Sequence, residues 1–312
     1  MTYSLGGLIQ GSDYNGFVGG GAANVSGQLN TVLSTGRGNA GYGQTAVTNV
    51  TAITDTVTAA QWTTLVNGVD RVRKHQSGAG YSNLATYTAG ATINATNNIS
   101  SALSTAYSSR LTAAATATTT GATFSPAFTA PNDTSAQTIQ FSRTATFANA
   151  DAARYFFNAG GQLNFVISSI TNTGATSRGA DIGNLAVTNF ASKTINAADA
   201  VARTGTGGTL NTDVTTNYGY YGTTTANVVY TQITSTATAY TGDVFYFLVK
   251  TNGVQGSNAD NGSILTLSAN IFMAAQSPAF NDGYNVSINH RVDVVYPATT
   301  FLANTWGSVT IA

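Results

Sequence analysis

The chain has 312 residues, of which 42% are hydrophobic and only 8% charged, with a formal net charge of zero. All twelve acids are Asp, the lysines are Lys74, Lys193 and Lys250, the histidines are His75 and His290, and Cys is absent. This composition excludes disulfides and thiolate metal sites and leaves no basic stripe to neutralise nucleic-acid phosphates. Disorder throughout is excluded as well, because the apolar share is that of an ordinary core.

A soluble domain usually carries roughly 25% charged residues; here Thr, Ser, Asn, Gly and Ala stand in their place. Thr is β-branched and fits a half-exposed pleated strand, while Asn and Gly fit turns. The absence of Glu and the scarcity of Lys remove two good surface helix formers. The fold class this predicts is α+β and β-dominated. So little charge gives copies of the chain little mutual repulsion. The expected partner is therefore the chain itself, in a homo-oligomer of three copies or a higher ring that hides much of its surface.

In chain order, the start Met1-Thr2-Tyr3-Ser4-Leu5-Gly6-Gly7 has no basic region and no long apolar run, so no secretory signal is expected. No apolar run approaches the ~18 residues of a membrane span. Residues 1–57 are rich in Gly, Asn and Thr and read as an arm of loops and short strands that drapes over a neighbour. Thr58-Ala59-Ala60-Gln61 is a capping-box pattern. It opens a helix with Trp62, Leu65, Val66, Val69 and Val72 at helical spacing, ended by Gly78 after a cationic last turn. A second helix is predicted over about 98–115, with Ile99, Leu103, Ala106, Tyr107 and Leu111 on its apolar side.

Residues 113–131 are low in complexity and read as a linker. Beyond them the period changes to two: Ile139, Phe141, Ala145 and Phe147 share one face of a strand. Asn149 caps a short helix over 150–158 that ends at Gly160-Gly161, and Leu163, Phe165 and Ile167 resume the alternation. A helix is expected over 180–192 and strands near 207–216, 226–238, 243–251, 263–274 and 284–296. The stretch from Val244 to Val249 is apolar on both faces, as in a central strand or one covered by a partner; Asn261-Gly262 reads as a hairpin turn. The expected organisation is an N-terminal loop and helix docking region over 1–112, the linker over 113–131, and a β-sandwich-like domain with short helices over 132–312.

Two stretches carry a resemblance. Ala153-Arg154-Tyr155-Phe156-Phe157-Asn158-Ala159-Gly160-Gly161 resembles a signature of virion structural and tail-fibre-like proteins of tailed phages, notably those of marine cyanobacteria. Gly41-Tyr42-Gly43-Gln44, then Val57-Thr58-Ala59-Ala60-Gln61-Trp62 with Leu65, then His75-Gln76-Ser77-Gly78, is similar to a second pattern of the same family. The resemblance implies a non-enzymatic subunit of a tail, neck or fibre, with a capsid decoration or head fibre as the alternative. It also implies other virion proteins as partners and assembly in the host cytoplasm before release by lysis. In physical terms Trp62 reads as a core anchor, and Tyr155, Phe156 and Phe157 as the packing face of a short helix. Arg154 reads as a donor to a carboxylate or to backbone carbonyls, and Gly160 and Gly161 as a chain reversal.

No catalytic, cofactor or metal site is assigned from the sequence. Gly36-Arg37-Gly38-Asn39-Ala40-Gly41 has the spacing of a dinucleotide loop, but Tyr42-Gly43-Gln44-Thr45 after it is a poor helix start. Two distant histidines are too few for a metal centre, and residues 258–262 lack the spaced acids of a calcium loop. Asp243, Asp260 and Asp282 each lie beside Gly or Asn and read as turn residues rather than a glycosidase pair. His290 is in phase with Val286, Ile288, Val292 and Val294, on the apolar face of its strand. The arm 1–50 and Phe245, Tyr246, Phe247 and His290 are the candidate interface, with His290 as the candidate pH-sensitive contact. Host surface glycan is a further candidate partner, through stacking on Tyr218-Gly219-Tyr220-Tyr221.

Overall fold

Period-two alternation translates directly into burial: Ile139, Phe141 and Ala145 are enclosed, whereas Thr138, Gln140 and Ser142 between them face outward. Repeated along the chain, the rule produces two antiparallel six-stranded sheets in the computed structural model. It describes residues 10–20, 25–34, 36–51, 56–81, 84, 86, 88–89, 96–197, 200–201, 203–214, 219–253, 261–277 and 282–312.

One sheet contains β1 (Thr116–Thr119), β2 (Ala127–Ala130), β4 (Gln162–Asn172), β5 (Ser192–Ile195), β6 (Ala200–Val201) and β11 (Tyr284–Pro297). Its longest strand, β11, pairs with β4 on one side and with β1 and β2 on the other. The second sheet runs in the order β12 (Thr310–Ile311), β3 (Gln137–Thr146), β10 (Ile264–Met273), β9 (Val244–Thr251), β8 (Val228–Thr234), β7 (Thr209–Asp213). Inward rings join the sheets: Phe141 lies 6.3 Å from Phe165 and 4.6 Å from His290, and Phe165 lies 5.1 Å from Phe247. The chain is thus α+β, β-dominated and sandwich-like.

The helices α1 (Gly11–Val18), α2 (Leu29–Leu33), α3 (Ala59–Ser77) and α4 (Thr96–Ser108) come first in the chain. In α3 the capping box is made as expected. The Thr58 side chain accepts from Gln61 N at 3.2 Å, Gln61 Oε1 accepts from Thr58 N at 2.8 Å, and Gly78 closes the helix at φ 77°. α5 (Ala150–Asn158) is capped by the Asn149 side chain. The helix expected at 180–192 is α6 (Ser177–Gly183), continued by a π-helical stretch, Asn184–Phe190. This carries Phe190 between the sheets, where its ring stacks on Phe245 at 4.5 Å.

Three expectations are corrected. The arm does not wait for a neighbour: its described part forms α1 and α2, and Phe17, Val18, Leu29, Val32 and Leu33 are buried in the chain's own core. Segment 113–131 is not bare linker, since β1 and β2 extend a sheet along β11. Every residue of β1 is exposed, so no apolar alternation marks it in the sequence. Gly121 between them lies so close that a Cβ would come within 2.0 Å of the Val292 carbonyl oxygen. Finally, Phe245, Phe247 and His290 are fully enclosed between the chain's own sheets and cannot touch a second copy. Only the other face of β9, with Val244, Tyr246 and Leu248, is half-exposed.

Candidate functional site: the joint formed by the motifs

The Gly-rich run from residue 36 to 44 threads through the middle of the molecule. Tyr42 N, Gly43 N and Gln44 N donate to the carbonyls of Val32, Ser34 and Leu33 at 2.8–2.9 Å. Helices end with carbonyls that lack an intrahelical donor, and the run supplies those donors for α2. At Gly43, φ is +69° and the Tyr155 ring lies where a Cβ would stand, 2.4 Å from its nearest atom, so both conformation and space require glycine.

The signature on α5 closes over this run. Arg154, with no exposed surface, donates from Nη1 to Ala40 O at 2.7 Å, pairs with Asp151 at 3.4 Å and lies 4.6 Å over the Tyr155 ring. Asn158 Nδ2 donates to Gly41 O at 3.0 Å and to Gly38 O at 3.2 Å, and the Tyr221 hydroxyl lies 2.8 Å from Gly38 O and from Asn158 Oδ1. Phe156 packs against Phe147, Phe157 and Tyr296, and Phe157 stacks on Tyr220 at 4.4 Å. Gly160, at φ +91°, makes the reversal, and a Cβ on Gly161 would meet the Phe156 ring at 2.7 Å.

The remaining motif enters from α3. Gln76 Nε2 donates to Tyr42 Oη at 2.9 Å and to Ala106 O at 2.8 Å. The His75 Nε2 atom lies 3.0 Å from Ala159 O, a pure acceptor, so the ring carries its proton there. Burial holds His75 below the usual imidazole range and raises the Tyr42 phenol. Gln44 exchanges two hydrogen bonds with Ala303 at 2.8 and 2.9 Å, so the last residues of the chain join the same knot. Trp62 lies one layer away, edge-on to Phe17 at 6.3 Å, and fixes α1 on α3. The structure thus brings Arg154, Tyr155, Phe156, Phe157, Gly160 and Gly161 together with the other motif. It places Phe245, Phe247 and His290 in the sandwich core and Tyr246 on its outside.

Chemically the joint, in its described residues, is a set of donors aimed at backbone carbonyls. Among the described residues no group of three or more His, Asp, Glu or Cys could hold a metal ion, and no helix is long and apolar enough to cross a membrane. The sugar-stacking stretch is only partly described. Tyr220 is buried with its hydroxyl on Gly262 O at 2.7 Å, Tyr221 is engaged as above, and Tyr218 falls outside the described residues. Residues 1–9 of the arm, the calcium-loop residues 258–260 and with them Asp260 lie outside too.

Sequence reasoning missed a second constellation. Arg178 of α6 is fully buried, with Nη2 3.0 Å from Asp243 Oδ1 and 2.9 Å from Ala274 O, and Nη1 3.4 Å from Asp133 Oδ2. The Tyr240 ring lies 4.8 Å from the guanidinium. Asp181, one turn along α6, accepts from Ser235 Oγ at 2.6 Å and neighbours the Asp243 carboxyl. Asp282 accepts from Arg178 N and from the Tyr240 hydroxyl, both at 2.9 Å. Burial is the main cause that pushes the Asp243 carboxyl up to about 7 and raises Asp181; the neighbouring Arg178 opposes both shifts. Asp243 is therefore no simple turn residue. The available signal was its position just ahead of the most apolar strand, but the cluster around it is drawn from four other places in the chain, near 133, 178–181, 274 and 282.

No family model matches the chain, and no curated protein or solved structure matches it either.

Proposed function

We propose that the chain is a non-enzymatic structural subunit of a tailed-phage particle, part of a tail, neck or fibre that works by self-association and by docking to other virion proteins. The observation that carries the reading is the use made of the motif residues. Arg154, Asn158, His75, Gln76 and Gln44 all bond backbone of their own chain, inside a joint that holds helices, sandwich and C-terminal residues together. Such a joint resists shear between segments and offers no reacting group to a substrate.

Self-association is supported by the near absence of charge and by the outer face of β9 and β10. There Tyr246, Val244 and Leu248 are half-exposed and Phe272 is 37% exposed, opposite Val244 in the register. These partly exposed apolar side chains, set among Asn270, Ser268 and Thr266, support an interaction surface here. This face replaces the arm and the inward residues of β9 as the contact between copies. Native mass measurement of the purified full chain, followed by imaging, tests the reading. The expected result is a closed assembly of three or more copies that Tyr246→Asp combined with Phe272→Asp breaks into folded single chains. A wild-type chain that stays single at high concentration, or that releases sugar from host envelope, would overturn it.

A further inference from the structure

Four carboxylates and one guanidinium meet at one end of the sandwich. Asp133 precedes β3, Arg178 and Asp181 lie on α6, Asp243 opens β9, and Asp282 precedes β11. The first four are 3% exposed or less. With every group ionised, the three buried carboxylates and the one guanidinium would leave two uncompensated negative charges where water cannot reach them, with the half-exposed Asp282 adding a third at the rim. A low-dielectric interior does not tolerate that arrangement, and two adjacent carboxylates resolve it by sharing a proton.

The geometry shows where that proton belongs. Asp243 Oδ1 is occupied by Arg178 Nη2 and Ala274 N, and Asp181 Oδ1 by Ser235 Oγ. The second oxygen of each receives no N–H or O–H donor among the described residues, and the two carboxyls are immediate neighbours. We infer that Asp181 and Asp243 form a proton-binding site, which holds one shared proton at neutral and mildly acidic pH and thereby latches α6 onto the ends of β8, β9 and β10. Loss of the proton sets two anions against each other, with Arg178 the one cation among the described residues that faces them. Asp133 and Asp282 add negative charge from the neighbouring elements, and Tyr240 and Tyr284 face the guanidinium as neutral phenols.

The sign of the pH dependence follows from linkage. Unfolded Asp titrates near 4, and in the fold Asp243 titrates at about 7. Between those values the folded state holds a proton that the open state has lost. Each unit of rising pH therefore favours opening by up to tenfold, and the effect levels off above about pH 7. The latch is tightest in acid, the reverse of an ordinary salt-bridged carboxylate.

The test is amide hydrogen exchange of the full chain at pH values from about 5 to about 8.5, corrected for intrinsic rates, in wild type and Asp243→Asn. An amide mimics the protonated acid: its oxygen still accepts from Arg178 and Ala274, and its N–H donates to Asp181. In wild type, protection across 177–183 and 235–243 is expected to fall by about fiftyfold between pH 5 and pH 7. In the variant it is expected to stay flat, and above pH 7 to exceed that of wild type. Identical profiles for the two chains would overturn the inference. Should the variant not fold, the infrared spectrum of wild type decides. A protonated-carboxyl stretch that persists at about pH 6, where free Asp is ionised, and fades by about pH 8.5 is expected; a spectrum without it would equally overturn the inference.

Discussion

Replacing Arg154 by Met tests the joint most directly. The substitution keeps an unbranched apolar stem of similar reach but removes the following interactions. The first is the 2.7 Å bond to Ala40 O, in a residue with no exposed surface; loss of a buried partner costs about 1–3 kcal/mol. The second is the guanidinium over Tyr155, worth about 0.5–1 kcal/mol. The third is the 3.4 Å pair with Asp151, whose side chain is 30% exposed; pairs this open contribute less than about 1 kcal/mol. Together they amount to about 2–4 kcal/mol. With an unfolding entropy of about 2.1 cal/mol/K per residue, the midpoint should fall by about 3–6 °C. A sharper readout is local. The amides of Tyr42, Gly43 and Gln44, bonded to the end of α2, should exchange on the order of a hundredfold faster. If those amides keep their protection while Arg154 is gone, the run from 36 to 44 is held by its own contacts and the joint has been misread.

Gly43→Ala places a Cβ against the Tyr155 ring at a φ of +69° and should cost about 2–4 kcal/mol in urea unfolding. Adding Tyr155→Ala should relieve the clash but leave the backbone strain. His290 is buried among Phe124, Phe141 and Phe165 with Nδ1 on Ile288 O, and burial depresses its titration. Its neutral form is therefore what the fold holds. Stability from this group is present above the unfolded value near 6.5 and is lost as pH falls below it. Relative to wild type, His290→Phe should gain up to about 2 kcal/mol between pH 8 and pH 5, read from denaturant midpoints at each pH. An unchanged gap would mean that the histidine is protonated inside the core. Because the Asp181–Asp243 pair acts with the opposite sign, both effects are read as differences between variant and wild type.

Much of the architecture is local and was legible in the residues. The capping box at Thr58, the Asn149 cap and the period-two runs of β3, β4 and β11 depend on neighbours within a few positions, where helix and strand sterics act. The strand β1 and the π-helical stretch were not legible. β1 has no buried residue to break its Ala/Thr monotony, and the π-helical stretch is where Phe190 enters between two sheets assembled from distant segments.

The same division runs through the sites. Residue type alone marked Arg154 as a donor and Gly160 as a reversal, because charge and a missing Cβ are intrinsic properties. Which carbonyl Arg154 meets, 114 positions away, is a matter of tertiary approach. So is the fate of β9, whose apolar run fits a covered strand and a second copy equally well; only the packing of the two sheets turns Phe245 and Phe247 inward and leaves Tyr246 outside. Arg178 and its four carboxylates show the limit most clearly. Burial and mutual distance set their protonation, and neither exists until segments from 133 to 282 have been folded onto one another.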